Sequence, residues 1–127
     1  MAAVTQELAR LATELEDRPI LAHSAEAAVG RAVAYLHDHW REDFDLDHLA
    51  LEAGVSAYHR VRIFARRVGM PPSAYRRNLR VLAARRLLRS GRPAVEVALE
   101  CGFYDQSHLN RHFKAATGVT PRQFALA

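Results

Sequence analysis

An internal repeat limits the folds that are open to this chain. Ala50 and Gly54 recur as Ala98 and Gly102, 48 residues further along the sequence. A second set recurs 49 residues further on, in which Arg62, Phe64, Gly69, Pro72 and Tyr75 correspond to Arg111, Phe113, Gly118, Pro121 and Phe124. The extra residue falls just after the glycine, where a turn accepts an insertion that a packed helix would not. The repeat therefore predicts two copies of one supersecondary unit.

Apolar residues recur at intervals of three and four, which is typical of α-helices. We therefore expect an all-α protein. The first predicted helix has an apolar stripe of Val4, Leu8, Leu11 and Leu15, and the second follows Ser24 and buries Val29, Val33, Leu36 and Trp40. Further helices are predicted at about 45–53, 56–68, 72–89, 94–101, 106–116 and 121–125.

Each copy of the repeat combines a short helix, a glycine turn and a second, capped helix. Gly54 and Gly102 supply the positive φ that a tight turn between helices needs. Ser56 and Asp105 stand where a side-chain oxygen accepts hydrogen bonds from the free N–H groups of a helix start. In a helix-turn-helix unit of this kind, the second helix presents its N-terminal half to a major groove of DNA.

Charge is distributed unevenly along the chain. Residues 1–52 hold eleven of the fourteen acidic residues and four of the eighteen basic ones, a formal charge of −7. Residues 53–127 hold three acidic and fourteen basic residues, a formal charge of +11. Such a basic field predicts a polyanionic partner and indicates double-stranded DNA. The alternative is a solvated surface whose arginines pair with the acidic residues of the N-terminal segment.

Helical periodicity gives each second helix an exposed face with side chains suited to reading bases. Arginine can donate two hydrogen bonds to guanine, and asparagine or glutamine can form two hydrogen bonds with adenine. Valine or a tyrosine ring can contact a thymine methyl. The candidate base-reading residues are Tyr58, Val61, Arg62, Gln106, Ser107, Asn110 and Arg111. The candidate phosphate contacts are Ser56, Arg60, Arg66, Arg67, His112 and Lys114. The matched placement of Arg62 and Arg111 in the two copies favours base contact. For Arg66, Arg67 and Lys114, a phosphate contact and a solvated surface charge are equally good interpretations.

The long helix from Pro72 to Arg89 sets the spacing of the two units. It is roughly 27 Å long at about 1.5 Å per residue, and successive major grooves on one side of DNA are about 34 Å apart. One chain is therefore expected to reach two neighbouring grooves. Not all arginines of this helix can face DNA, so we expect Arg80 and some others to be structural and to pair with acidic residues of flanking helices.

A long motif string occupies the second half of the chain. It comprises Val97-Ala98, Cys101-Gly102-Phe103, Asp105-Gln106-Ser107-His108-Leu109, Arg111-His112-Phe113-Lys114 and Gly118-Val119-Thr120-Pro121. The first half adds Leu49-Ala50, Gly54-Val55-Ser56, Arg62-Ile63-Phe64, Gly69 and Pro72, and the linker adds Arg80, Ala84 and Leu87-Leu88. Through these motifs, the chain from about Val29 to its end resembles the DNA-binding domain of the AraC/XylS family of bacterial transcription regulators.

The resemblance implies a bilobal fold of two homeodomain-like helix-turn-helix subdomains joined by a long linker helix. Residues 29–127 would form the DNA-binding domain, with helix-turn-helix units at about 46–68 and 94–116. Such a domain binds about two DNA turns without a cofactor and often recruits RNA polymerase, which favours an activator. The family usually has leucine in place of Arg60 and often a basic residue in place of Ala65. We therefore expect the second unit to contribute more of the sequence specificity than the first.

Residues 1–28 lie outside the resemblance and form the extra N-terminal helix and a linker. Most family members carry a separate N-terminal domain that senses a ligand and dimerises, and the apolar stripe suits the trailing helix of such a domain. A helix packed on its own DNA-binding domain explains the stripe equally well. The chain is therefore either a truncated regulator or a stand-alone activator. A dimer could form through this helix or through a missing effector domain.

Other classes of function fit the sequence less well. His108 and His112 have the i, i+4 spacing of many metal-ligand pairs, but no third ligand accompanies them, so no metal site is predicted. The sequence contains no Ser/His/Asp set and no Gly-rich phosphate loop that would indicate an enzyme. A helical protein-interaction module is the remaining alternative, which DNA affinity with a steep salt dependence would exclude. The single Cys101 and the lack of a signal or membrane segment predict a cytoplasmic protein with no membrane partner.

Overall fold

The computed structural model describes residues 25–46, residue 49 and residues 56–126. Over these residues the chain is helical and contains no strand, as the periodicity predicts. The helices are α1 (Ala25–His39), α2 (Ala57–Val68), α3 (Pro72–Arg89), α4 (Ala94–Glu100), α5 (Gln106–Thr117) and α6 (Pro121–Leu126). Each of these helices is too short or too polar to cross a lipid bilayer.

Several predicted features lie outside the described residues. They are the helix at the start of the chain, the Ser24 cap, most of the helix at 45–53, and the turn that contains Gly54. From residue 56 onwards, the observed helix ends agree with the predicted ones to within one residue.

The chain divides into two compact units. Among the described residues, the first unit comprises α1 and the residues from Phe44 to Arg76, and the second comprises Trp40–Asp43 and the residues from Arg77 onwards. The two units share α3, which is one uninterrupted helix of 18 residues. Its first turn belongs to the first unit and the remainder belongs to the second.

The core of the first unit is built on one face of α1. Apolar residues at helical spacing on α1 are buried, and α1 packs against α2. Among the described residues, the buried apolar side chains of this unit include Ala28, Val29, Ala32, Val33, Leu36, Leu49, Phe64, Val68 and Tyr75. The Tyr75 ring meets Phe64 edge-on at 5.8 Å, and its hydroxyl shares a hydrogen bond of 2.6 Å with Nε2 of His37. Burial of Tyr75 raises the pKa of its phenol, so this residue stays neutral and structural.

The core of the second unit joins α3, α4 and α5. It consists of Val81, Ala83, Ala84, Leu88, Val97, Ala98, Cys101, Phe103, Leu109 and Phe113. The aromatic ring of Phe124 on α6 packs against this cluster and meets Phe113 at 5.4 Å. Small residues such as Ala84 and Ala98 are completely buried, which lets the helices approach closely. This packing fixes the direction in which α5 leaves the preceding turn.

Arg80 is structural, and three of its hydrogen bonds go to backbone carbonyls that the sequence does not point to. Its side chain is 7% exposed, and its guanidinium donates to the carbonyl oxygens of Trp40 at 2.7 Å, Gly102 at 2.9 Å and Glu42 at 3.0 Å. These three acceptors are backbone carbonyls, whereas the sequence had suggested only acidic side chains as partners. These carbonyls belong to segments that follow helices, where oxygen atoms have no helical N–H partner. Arg80 thus ties two such segments to α3 within the second unit.

Candidate nucleic-acid interface

The second unit contains a complete helix-turn-helix formed by α4, a short turn and α5. Gly102 has a φ of +87°, and a Cβ atom there would lie 2.9 Å from the backbone oxygen of Arg41. The turn therefore requires glycine both for its conformation and for space. After the turn, a carboxylate oxygen of Asp105 accepts a hydrogen bond of 2.8 Å from the N–H of His108. This cap satisfies one of the free donors at the start of α5, as predicted.

The two faces of α5 divide between the core and solvent. Leu109 and Phe113 are completely buried, which fixes the rotation of the helix about its axis. Gln106, Ser107 and Arg111 are exposed and Asn110 is half-buried, and all four lie in the first half of the helix. These residues are the four candidate base readers of the second unit. Their placement at the free N-terminal half is the one that major-groove reading requires.

A shallow depression of about 350 Å³ lies beside the start of α5. Its lining residues are Tyr104, Asp105, Ser107, His108 and Arg111. Tyr104 was not among the candidates from the sequence, yet it is 85% exposed and adjoins two of them. It lies in the turn that has one residue more than the first turn, and this insertion is the sequence signal that could have identified it.

His108 and His112 serve the local structure of the turn and helix. Nδ1 of His108 accepts a hydrogen bond of 3.0 Å from the N–H of Tyr104, so this nitrogen carries no proton. Desolvation and the positive charge of Arg111 lower the pKa of His108, and desolvation and His108 lower that of His112. The rings of the two histidines meet edge-on at 4.5 Å. Both are therefore neutral near pH 7, and His112 offers a phosphate a hydrogen bond at most.

Side chains of the types that bind metal ions are dispersed over the described part of the chain. No three His, Cys, Asp or Glu side chains there come together in a group that could hold a metal ion. Cys101 is buried in the core, and its burial raises the pKa of its thiol to about 11. This keeps the sulfur in the thiol form, which is a poor metal ligand and a poor nucleophile.

The first unit presents α2 in the same manner as the second presents α5. The hydroxyl of Ser56 accepts a hydrogen bond of 3.2 Å from the N–H of His59, which confirms the predicted cap. Phe64 is completely buried, whereas Tyr58 and Arg62 are exposed and Val61 is half-buried. The exposed face of α2 thus carries the three candidate base readers of this unit.

The candidate phosphate contacts differ in their surroundings. Arg66 and Lys114 are exposed near the ends of α2 and α5. Arg67 forms an ion pair with Glu26 of α1, so a phosphate would have to compete with this carboxylate. Arg60 is half-buried, and its Nε atom is buried without a hydrogen-bond partner. Arg60, which stands where the family usually has leucine, therefore leaves one hydrogen-bond donor unsatisfied in the free protein.

Comparison with known proteins places this architecture in a family. A family described as "Helix-turn-helix domain" matches residues 49–126. The transcriptional activator RhaS of Escherichia fergusonii is 30% identical over 101 residues, which cover 79% of this chain and 36% of that protein. The chain spans about a quarter to a third of the curated relatives that it matches.

Two solved structures share the fold. A probable AraC family transcriptional regulator from Rhodopseudomonas palustris has a TM-score of 0.69 and 25% identity, with coverage of 79% of this chain and 95% of that chain. The DNA-binding domain of AdpA, solved in complex with a target DNA, has a TM-score of 0.69 and 32% identity, with coverage of 78% of this chain and 90% of that chain.

The fold and the exposed helix faces define a helix-turn-helix DNA-binding domain. The chain belongs to the AraC/XylS type of this family, whose members are transcription regulators.

Proposed function

We propose that this chain binds double-stranded DNA sequence-specifically, with α2 and α5 as recognition helices that each enter a major groove. The observation that carries the proposal is the matched construction of these two helices. Each has a side-chain cap at its start and an exposed arginine, Arg62 or Arg111, at the same position of the repeat. A buried phenylalanine two residues later anchors each helix and orients its arginine outwards.

Charge and chain connectivity support simultaneous binding in neighbouring grooves. Residues 53–127 carry a formal charge of +11, which attracts a polyanion and releases counterions on binding. The 18 residues of α3 give a helix roughly 27 Å long, close to the separation of about 34 Å between successive grooves. Both units of one chain would then read one site.

The proposed roles of the side chains follow from their exposure. Arg62 and Arg111 pair with guanine, while Gln106 and Asn110 read adenine and Val61 contacts a thymine methyl. Arg66 and Lys114 contact phosphates and add affinity without sequence preference. Arg67, held by Glu26, contributes less to phosphate binding than its charge alone suggests.

We also propose a role for this chain within a transcription regulator. Since RhaS is named a transcriptional activator, activation with RNA polymerase as partner is the mode that we favour. We further propose that residues 29–127 form the DNA-binding domain and that residues 1–28 serve linkage or dimerisation. Removal of residues 1–20 should then leave the affinity of a monomer for a single site nearly unchanged. A substantial loss of affinity would assign that segment to the fold or to a dimer.

The experiment compares Arg111→Ala with Lys114→Ala on a preferred duplex and on duplexes with single base-pair changes. We expect Arg111→Ala to weaken the preferred site by about 1–3 kcal/mol and to relax the preference at one base pair. Lys114→Ala should weaken all duplexes evenly and reduce the slope of affinity against salt by about one. An even loss for Arg111→Ala would make this residue a phosphate contact. Absence of any DNA affinity would favour a protein-interaction module instead.

A further inference from the structure

Tyr58 and Arg62 form a stacked pair on the exposed face of α2. The guanidinium carbon of Arg62 lies 5.6 Å from the centre of the Tyr58 ring, within the range of a cation–π contact. The two residues are one helical turn apart, and side chains on a helix lean towards its N-terminus. The guanidinium therefore leans over the ring towards the end of α2 that would enter the groove.

The Tyr58 ring contributes little to the core of the free protein. It is 72% exposed, and the core beneath α2 is supplied by Phe64 and Val68. A large aromatic ring left in solvent is therefore explained either by contact with a ligand or by its effect on a neighbouring side chain. The pair with Arg62 supplies such an effect in the absence of DNA.

The second unit lacks this arrangement. Ser107 stands at the position of the repeat that corresponds to Tyr58, four residues before Arg111. A serine has no ring face on which a guanidinium can stack. The two arginines therefore have the same register but different neighbours, and only Arg62 is held by an aromatic ring at that position.

We propose that Tyr58 is a positioning residue that fixes the orientation of Arg62 for a guanine in the first half-site. This proposal rests on the proposed function. An arginine loses rotamer freedom when it forms two hydrogen bonds with a base, and a guanidinium already held by a ring loses less of it on binding. The ring also leaves the N–H edges of the guanidinium free for the two guanine acceptors. The first unit thereby selects guanine more strongly than an unsupported arginine would.

The test uses the full chain with Tyr58→Phe and Tyr58→Leu, each also combined with Arg62→Ala. Phenylalanine keeps the ring, whereas leucine keeps an apolar surface for a thymine methyl but has no π face. The DNA is a preferred duplex and the same duplex with 7-deazaguanine, which lacks the N7 acceptor, at the base pair where Arg62→Ala relaxes the preference. A second modified duplex replaces neighbouring thymine by deoxyuridine.

We expect Tyr58→Phe to keep the wild-type discrimination between guanine and 7-deazaguanine. Tyr58→Leu should lower it about two- to fivefold, the size expected for an exposed cation–π pair. In the Arg62→Ala background, all three residues at position 58 should give equal discrimination. The effect of Arg111→Ala should be the same with Tyr58→Leu as with the wild type, which shows that the second unit still docks.

Two outcomes would overturn this inference while leaving the proposed function intact. One is wild-type discrimination by Tyr58→Leu. The other is a loss with Tyr58→Leu that persists without Arg62 and that follows the thymine methyl, because it would show direct contact of Tyr58 with DNA. A wild-type chain that binds no duplex would instead overturn the proposed function and this inference together.

Discussion

Nη1 of Arg80 donates a hydrogen bond of 2.9 Å to the carbonyl oxygen of Gly102, the glycine of the second turn. The same guanidinium also reaches the carbonyls of Trp40 and Glu42. The turn of the second helix-turn-helix is thus held directly by α3. This contact therefore acts together with the core packing that orients α5 and presents Arg111.

Gly102→Ala should destabilise the protein by about 2 kcal/mol or more. The substitution places a side chain at a φ of +87°, and its Cβ would meet the backbone oxygen of Arg41 and the Arg80 guanidinium. Gly91 is the matched control, because its φ is +90° but nothing lies within 4 Å of its Cβ position. Gly91→Ala should cost about 1 kcal/mol for backbone strain alone. Chemical denaturation measures both, and equal losses would show that the close approach of Arg80 is unimportant.

Arg80→Met should lower the free energy of unfolding by about 2–5 kcal/mol. Methionine preserves much of the buried volume but leaves three carbonyl oxygens without the donors of Arg80. Arg80→Lys should recover only part of the loss, because one ammonium cannot reproduce the planar set of donors. Arg86→Met, an exposed arginine on the same helix, is the control and should change stability little. Equal effects at the two positions would contradict a structural role for Arg80.

Arg60→Leu should stabilise the protein by about 1 kcal/mol. The substitution removes a buried Nε that has no hydrogen-bond partner and replaces it with an apolar side chain at a half-buried position. Arg66→Leu, on the exposed side of α2, should give no such gain. If Arg60 contacts a phosphate, Arg60→Leu will also weaken all duplexes evenly. Loss of stability with Arg60→Leu would show that the guanidinium is better satisfied than its free Nε indicates.

The protein should lose stability as the pH falls below about 6.5. The pKa of His108 is lowered from its ordinary value of 6.5, first by desolvation and then by the positive charge of Arg111, while Asp105 acts in the opposite direction. The unfolded chain therefore binds a proton before the folded one does, and protonation would also remove the acceptor of the Tyr104 N–H.

This pH dependence is measured by denaturation between pH 5 and 8 for the wild type and for His108→Gln with His112→Gln. The double variant should show a flatter profile over the range in which histidine titrates. An unchanged profile would assign the pH dependence to other groups.

Much of the fold could be predicted because its signals are local. Ser56 and Asp105 mark helix starts in the sequence itself, and Gly69 marks the end of α2 before Pro72 begins α3. The register of Arg62 and Arg111 followed from the repeat, since a core phenylalanine two residues later fixes the exposed face of each helix.

The contacts of individual arginines could not be predicted in the same way. Three acceptors of Arg80 are backbone carbonyls, which every residue carries and no sequence pattern marks. Arg67 pairs with Glu26, 41 residues away, and only the packing of α1 on α2 brings them together. The stack of Arg62 on Tyr58 has the i, i+4 spacing that favours contact, but the choice between ring and solvent depends on side-chain rotamers.

Selection of duplexes from a random library by the full chain would show whether one chain reads DNA with both units. The winning sequences should contain two short blocks of preferred bases about one helical turn apart. Binding to the winner should weaken steeply with salt. A single block would contradict reading by both units and would leave only the α5 unit as a reader. No enrichment would contradict sequence-specific DNA binding altogether.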